Sequence, residues 1–128
     1  MKVLLDTHVL IWMLQDSPFL SNDARVLLAA YDTEMYFSSV SVAEISIKHS
    51  VHPNEMVLSG LEAKAVLPQL ACKSLNFTPE HAATLDSLPL LHRDPFDRML
   101  IAQAKAEGMK IMSHDRQFPQ YGDFVIQV

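Results

Sequence analysis

Four carboxylates in this 128-residue chain stand where an apolar run gives way to a helical pattern. Asp6 closes the run Lys2 to Asp6, and Glu44 is expected in the first turn of the helix that follows Met35 to Ser38. Asp97 falls in the first turn of a helix entered at Asp94-Pro95, and Asp115 follows the run Lys110 to Ser113. In a parallel α/β sheet the carboxyl ends of the strands share one edge, so acids at these junctions converge there. Converging carboxylates raise one another's pKa unless a cation lies among them. An oxygen-only set without Cys or His suits Mg2+ or Mn2+, ions that keep waters and bridge to phosphate oxygens. The chemistry expected of such a cluster is metal-assisted phosphodiester cleavage, with the ion acidifying a water and stabilising the leaving oxygen.

Each acid also has a structural role open to it. Asp6 can cap the first helix, Ser41-Val42-Ala43-Glu44 spells a capping box, and Asp97 at the third helical position complements the helix dipole. Asp115 can be an ordinary solvated loop acid, and Asp94 before Pro95 reads as a cap that also stays in reach of a ligand set. His8, His92 and His114 lie near these positions, where they could touch phosphate, but each reads better as a surface histidine without a role. Trp12 beside Met13 reads as core or dimer contact rather than a base-stacking ring. Arg93, Arg98 and Arg116 flank the acids, either as phosphate contacts or as solvated side chains, while Glu62, Asp86 and Glu107 read as solvated.

The elements that must position these groups follow from periodicity. Five short apolar runs, Lys2 to Asp6, Met35 to Ser38, Lys73 to Phe77, Lys110 to Ser113 and Phe124 to Gln127, read as buried parallel strands. Helical patterns lie between them. One carries Val9, Leu10, Met13 and Leu14, and a second starts near Ser21 or Asn22 with Val26, Leu27, Leu28 and Ala30 on one face. Val42, Ile45 and His49 mark a third, and Met56 to Leu70 is periodic again. Thr78-Pro79-Glu80 opens a helix to about Leu85, and Asp94-Pro95 opens one over Pro95 to Glu107 that Gly108 stops. Alternating strands and helices without a repeat or long linker make residues 1–128 a single α/β domain, a three-layer sandwich with a central, mostly parallel five-stranded sheet flanked by helices.

Composition narrows the classes further. Hydrophobic residues at 49% with only 3 Gly belong to a packed globular chain, not a disordered or collagenous one. The apolar stretch near the start is interrupted by Asp6 and His8, which argues against a membrane span and against a signal peptide, so the mature chain is expected to begin at Met1. A single cysteine, Cys72, forms no internal disulfide and points to a reducing cytoplasm. A formal charge of -5 gives no overall basic field for nucleic acid, so bound cations would have to supply positive charge.

Taken together, VLLDTHVLIW, SVAEISIK, HRDPFDRMLIAQA and IMSHD resemble the PIN-domain family, and within it the VapC-type toxin ribonucleases of bacterial type II toxin-antitoxin pairs. The likeness runs from Val3 to about Phe124. It implies the PIN fold and a Mg2+- or Mn2+-dependent endoribonuclease in which Asp6, Glu44, Asp97 and Asp115 are both metal ligands and catalytic groups. It matches Thr7 and Ser113 to positions where a small hydroxyl supports a carboxylate or the substrate, and favours Asp97 over Asp94 as ligand. It further implies RNA as substrate, a cognate antitoxin protein and a homodimer. A PIN-fold module that binds RNA or protein without cleaving is the alternative. A receiver domain is disfavoured because Thr7 and His8, not acids, follow Asp6, and a haloacid-dehalogenase-like phosphatase because His8 stands where an Asp is needed.

Overall fold

The computed structural model describes residues 1–56 and 58–128. Its sheet has five strands in the order β3-β2-β1-β4-β5: β1 Lys2–Leu5, β2 Glu34–Ser38, β3 Lys73–Leu75, β4 Lys110–Ser113 and β5 Val125–Gln127. Every pairing is parallel. The chain lays β2 and β3 to one side of β1, then crosses back to place β4 on the other. This makes the β1/β4 boundary the topological switch point, where a crevice opens beyond the carboxyl ends of the strands. In register, Leu5 of β1 sits opposite Met112 of β4, so Asp6 and Ser113 emerge side by side.

Helices cover both faces, as the alternation of strand and helix requires. They are α1 Thr7–Gln15, α2 Asn22–Ala29, α3 Ser39–Val51, α4 Gly60–Val66, α5 Pro79–Thr84 and α6 Pro95–Glu107. The two-residue period of β1 separates two cores: Val3 and Leu5 face Val9 and Leu10 of α1 with Leu28 of α2, while Leu4 faces Leu100, Ile101 and Ala104 of α6. Each fully buried aliphatic side chain contributes about 1.5–3 kcal/mol relative to exposure. Cys72 is buried, and desolvation pushes its thiol up to about 11, which leaves it inert.

Local signals explain the helix ends. Asp6, Ser21 and Thr78 cap their helices through side-chain oxygens, and Gly108 closes α6 in the left-handed region at φ 65°. The periodic stretch Met56 to Leu70 resolves differently from its expected single helix. Ser59 with Glu62 forms a capping box that starts α4 at Gly60, Leu67 to Leu70 tightens into a 3₁₀ turn around Pro68, and Val57 lies outside the described residues. Met56 and Leu58 still pack on the core, which is why they share the helix-like pattern. In α2 the expected apolar face is narrower than the sequence implies: Val26 is 72% exposed and Ala30 is the C-cap.

Gly60 lies where a Cβ would meet the Ser46 Cβ at 2.6 Å, so α4 approaches α3 only because that atom is missing. Gly60→Ala is therefore expected to force the two helices apart and lower unfolding stability by roughly 1–3 kcal/mol in urea titrations. A variant as stable as wild type would show that the contact relaxes freely.

Candidate metal centre

The site forms from the strand ends outward. Asp6 leaves β1 as the N-cap of α1, with Oδ1 accepting the Val9 N–H at 2.9 Å and Oδ2 accepting the Ser113 hydroxyl. Ser113 Oγ in turn accepts the Asp115 N–H at 3.0 Å, so one hydroxyl ties the end of β1 to the loop after β4. Asp94 caps α6 by accepting the Phe96 N–H at 2.9 Å and, more weakly, the Asp97 N–H at 3.4 Å, placing Asp97 in the first turn. Asp6, Asp97 and Asp115 then line one cavity of about 290 Å³ together with His8, Trp12 and His114. The predicted convergence of these three acids is present. A larger cavity of about 700 Å³ opens beside α3 and α4, but no carboxylate lines it.

Glu44 is positioned otherwise than its sequence context implies. The N-cap of α3 is Ser38, so Ser41 is already helical and Glu44 lies past the first turn, and no capping box forms. Its buried carboxylate instead accepts the Thr7 hydroxyl at 2.7 Å and the Lys48 ammonium at 2.5 Å. Thr7 also contacts Ser41 Oγ at 2.9 Å. Glu44 is absent from the cavity wall but acts on it through its field, raising the carboxyls of Asp6 and Asp97.

The electrostatics show a centre short of positive charge. Burial, with the charges of Asp94 and Glu44, pushes Asp97 up to about 7. Burial likewise raises Asp6 above the usual carboxylate range, partly offset by the Ser113 and Val9 hydrogen bonds. At Asp115 burial also acts upward, but the Gln117 N–H and His92 outweigh it and the carboxyl lies below its usual range. Lys48 loses some basicity to burial yet ends above its ordinary value, because Glu44, Asp94 and Asp97 all favour its charge.

His92 is the group the sequence reading missed. Read as a surface histidine, it is 8% exposed in its side chain and lies 2.8 Å from Asp115 Oδ2 and 3.1 Å from Asp97 Oδ2. Its main-chain N–H donates to the Tyr121 hydroxyl at 2.8 Å, and its ring stands edge-on to Phe118 at 5.9 Å. The burial comes from Phe118 and Tyr121, residues more than 25 positions away, so no local pattern announces it. One ligand atom each from His92, Asp97 and Asp115 lies within 4.8 Å of the others, a spacing suited to a cation. Yet His92 Nδ1 accepts the Asp94 N–H at 3.1 Å, which places the ring proton on Nε2, aimed at both carboxylates. Ligation through Nε2 would move that proton onto Nδ1 and set it against the Asp94 N–H. The ring thus clamps Asp97 to Asp115, and the oxygen-rich donor set fits a hard divalent cation.

His92→Ala is accordingly expected to weaken Mn2+ binding roughly 10- to 100-fold by calorimetry, with His92→Gln, which keeps an N–H donor, losing less. Equal affinity in all three proteins would contradict the clamp.

The remaining flanking groups sort by geometry. Arg98 donates to the Pro89 carbonyl at 2.8 Å and the Tyr121 hydroxyl at 3.3 Å, so it braces the loop that carries His92. Glu107, expected to be solvated, sits 2.6 Å from His81 Nε2. Trp12, expected in the core or at a dimer contact, packs partly against the core and also lines the cavity.

With this geometry in hand, comparison with known proteins gives a consistent result. The PIN domain family matches residues 3–123. No curated protein matches the chain. Among solved structures, VapBC2 from Rickettsia felis, bound to a DNA fragment from its promoter, is similar at a TM-score of 0.72 and 15% identity, covering 100% of this chain and 98% of that one. FitAcB from Neisseria gonorrhoeae is similar at 0.68 and 21% identity over 98% and 96% of the two chains. A toxin-antitoxin complex from Klebsiella pneumoniae gives 0.65 and 14% over 98% and 96%. At these identities the likeness is one of fold.

Proposed function

Because this chain belongs to the PIN domain family, and because its acids converge at the switch point of the sheet, we propose that it is a metal-dependent endoribonuclease and the toxin of a type II toxin-antitoxin pair. The observation that carries the reading is the convergence of Asp6, Asp97 and Asp115 on one cavity, where burial and neighbouring carboxylates push Asp97 up to about 7, an arrangement that a divalent cation relieves. In this reading Asp6, Asp97 and Asp115 hold Mg2+ or Mn2+ directly. Glu44, buried beside the cavity and tied to Thr7 and Lys48, joins the set in this reading when Lys48 is drawn to phosphate.

When bound, the cation supplies Lewis acidity toward water and a phosphate oxygen. The chain's own groups do the rest. Ser113 and Val9 fix both oxygens of Asp6, His92 fixes Asp97 and Asp115, and Lys48 adds a positive charge beside Asp94 and Asp97. These contacts pre-orient the carboxylates, so little reorganisation accompanies substrate binding. The product ends are a 5′-phosphate and a 3′-hydroxyl. The similarity to toxin-antitoxin complexes supports a protein antitoxin as partner; its lying over the acids and a homodimeric chain belong to the same proposal without that support. Among the described residues no helix is long and apolar enough to cross a membrane.

The test is cleavage of mixed cellular RNA by antitoxin-free protein with Mg2+ or Mn2+, with EDTA, and by Asp6→Asn. Fragments that require metal and vanish in Asp6→Asn are expected. Intact RNA with both metals and folded wild-type protein would favour a binding module instead.

A further inference from the structure

The wall of the acidic cavity opposite the carboxylates is aromatic. His8 and Trp12 lie four residues apart on α1, and the first turn is fixed by the Asp6 cap, so both rings project from the same helix face beside the acids. Their centroids are 6.2 Å apart. His114 comes to the same wall from the loop after β4, its Nδ1 held 2.6 Å from the Val128 carbonyl, and its ring meets Trp12 edge-on at 5.2 Å. Beyond Trp12, at 5.9 Å, stands Phe19, 74% exposed. A run of rings therefore leads from the carboxylates to open solvent.

Packing explains only part of this arrangement. Trp12 rests partly against the core that Val9 and Leu10 fill, while its remaining surface lines the cavity together with His8 and His114. Nor can phosphate attraction alone hold a nucleic acid in a chain of charge -5 whose cavity is rimmed by acids. Base stacking supplies affinity that needs no positive field and tolerates any base.

We infer that His8, Trp12 and His114 form a stacking seat for one unpaired base of an RNA strand, next to the phosphate presented to Asp6, Asp97 and Asp115. The inference rests on the nuclease reading for its substrate class. It makes single-stranded RNA the preferred form, because a base inside a duplex cannot leave its own stack without loss of pairing. Trp12 is the central ring, touching both histidines and Phe19.

Trp12 is also the only tryptophan, so its emission reports on this wall alone. The probe is a short single-stranded oligoribonucleotide with phosphorothioate linkages, labelled at one end so that anisotropy measures binding independently of Trp12. A second oligonucleotide carries one abasic residue beside the bond that the unmodified strand loses, or, if no bond is cut, abasic residues scanned along it. Saturable quenching of Trp12 by the intact strand is expected. Trp12→Ala should weaken its binding roughly tenfold, Trp12→Phe should retain most of the affinity, and the abasic strand should bind wild type and Trp12→Ala alike. Binding without any change in Trp12 emission overturns the seat, as does a loss in Trp12→Ala that is the same for intact and abasic strands, which would assign the rings to a protein contact. If wild type binds with quenching but never cuts the unmodified strand, the seat stands and the nuclease reading falls. If wild type cuts the unmodified strand while its Trp12 emission does not respond to RNA and Trp12→Ala binds as tightly as wild type, the reverse holds.

Discussion

Asp97→Asn is expected to lower RNA cleavage by a factor on the order of a thousand and, in the same preparation without metal, to make the protein more resistant to heat at pH 8 than wild type. The two effects have one cause. In the folded chain the Asp97 carboxyl titrates at about 7, against an ordinary value of 3.8. The native state therefore binds a proton that the unfolded state has already released, and stability falls as pH rises from about 4 through about 7. Asn carries no charge and removes this loss. Melting curves of the metal-free proteins should therefore diverge as pH increases, with wild type the less stable above neutrality. Added Mn2+ should reverse the order, raising the wild-type melting temperature more at pH 8 than at pH 5 and leaving Asp97→Asn nearly unmoved. Curves that run parallel across this range would mean that Asp97 is not strained by its neighbours.

A second large effect is expected from Phe118→Ala, at an apolar residue that lines no part of the acidic cavity. Phe118 is fully buried in the core between α6 and the sheet, and its ring backs the His92 imidazole. Deleting a buried Phe side chain costs about 3–5 kcal/mol, a large part of the 5–15 kcal/mol that holds a domain of this size together. Urea midpoints should drop accordingly. Where the variant remains folded, its Mn2+ affinity should fall as well, because His92 loses the surface that sets its angle to Asp97 and Asp115. Val26→Ala on the exposed side of α2 is the contrast, within about 0.5 kcal/mol of wild type. A Phe118→Ala protein with normal stability would place the ring outside the core.

What the sequence made legible was what short-range rules govern. Strand ends followed from apolar runs, and the caps at Asp6, Thr78 and Asp94 followed from residue type, so all four acids were expected at one sheet edge, and three of them line one cavity there. Glu44 shows the limit of such rules. Its tetrapeptide spells a capping box, but the strand hands over to α3 earlier, at Ser38, and the carboxylate turns inward to Thr7 and Lys48. Met56 and Leu58 mimic a helix because a loop pressed on the core also needs apolar residues at intervals. His92 was placed near the acids in sequence but not among them, because its burial and its contact with Asp115 come from Tyr121, Phe118 and the loop after β4, which only the tertiary fold brings to it. Trp12 was legible only in part, because helix periodicity identifies its packing on the core but not the side of the ring that lines the cavity.

The most direct test of the account is a Mn2+ titration followed by calorimetry on metal-free wild type and on Asp6→Asn, Asp97→Asn and Asp115→Asn, all at pH 8. The account predicts saturable binding to wild type, accompanied by proton release from the centre, and weaker or no binding to each variant. Wild-type protein that binds Mn2+ no more tightly than the three variants would contradict it, since the acids at the β1/β4 crevice would then not be a cation site.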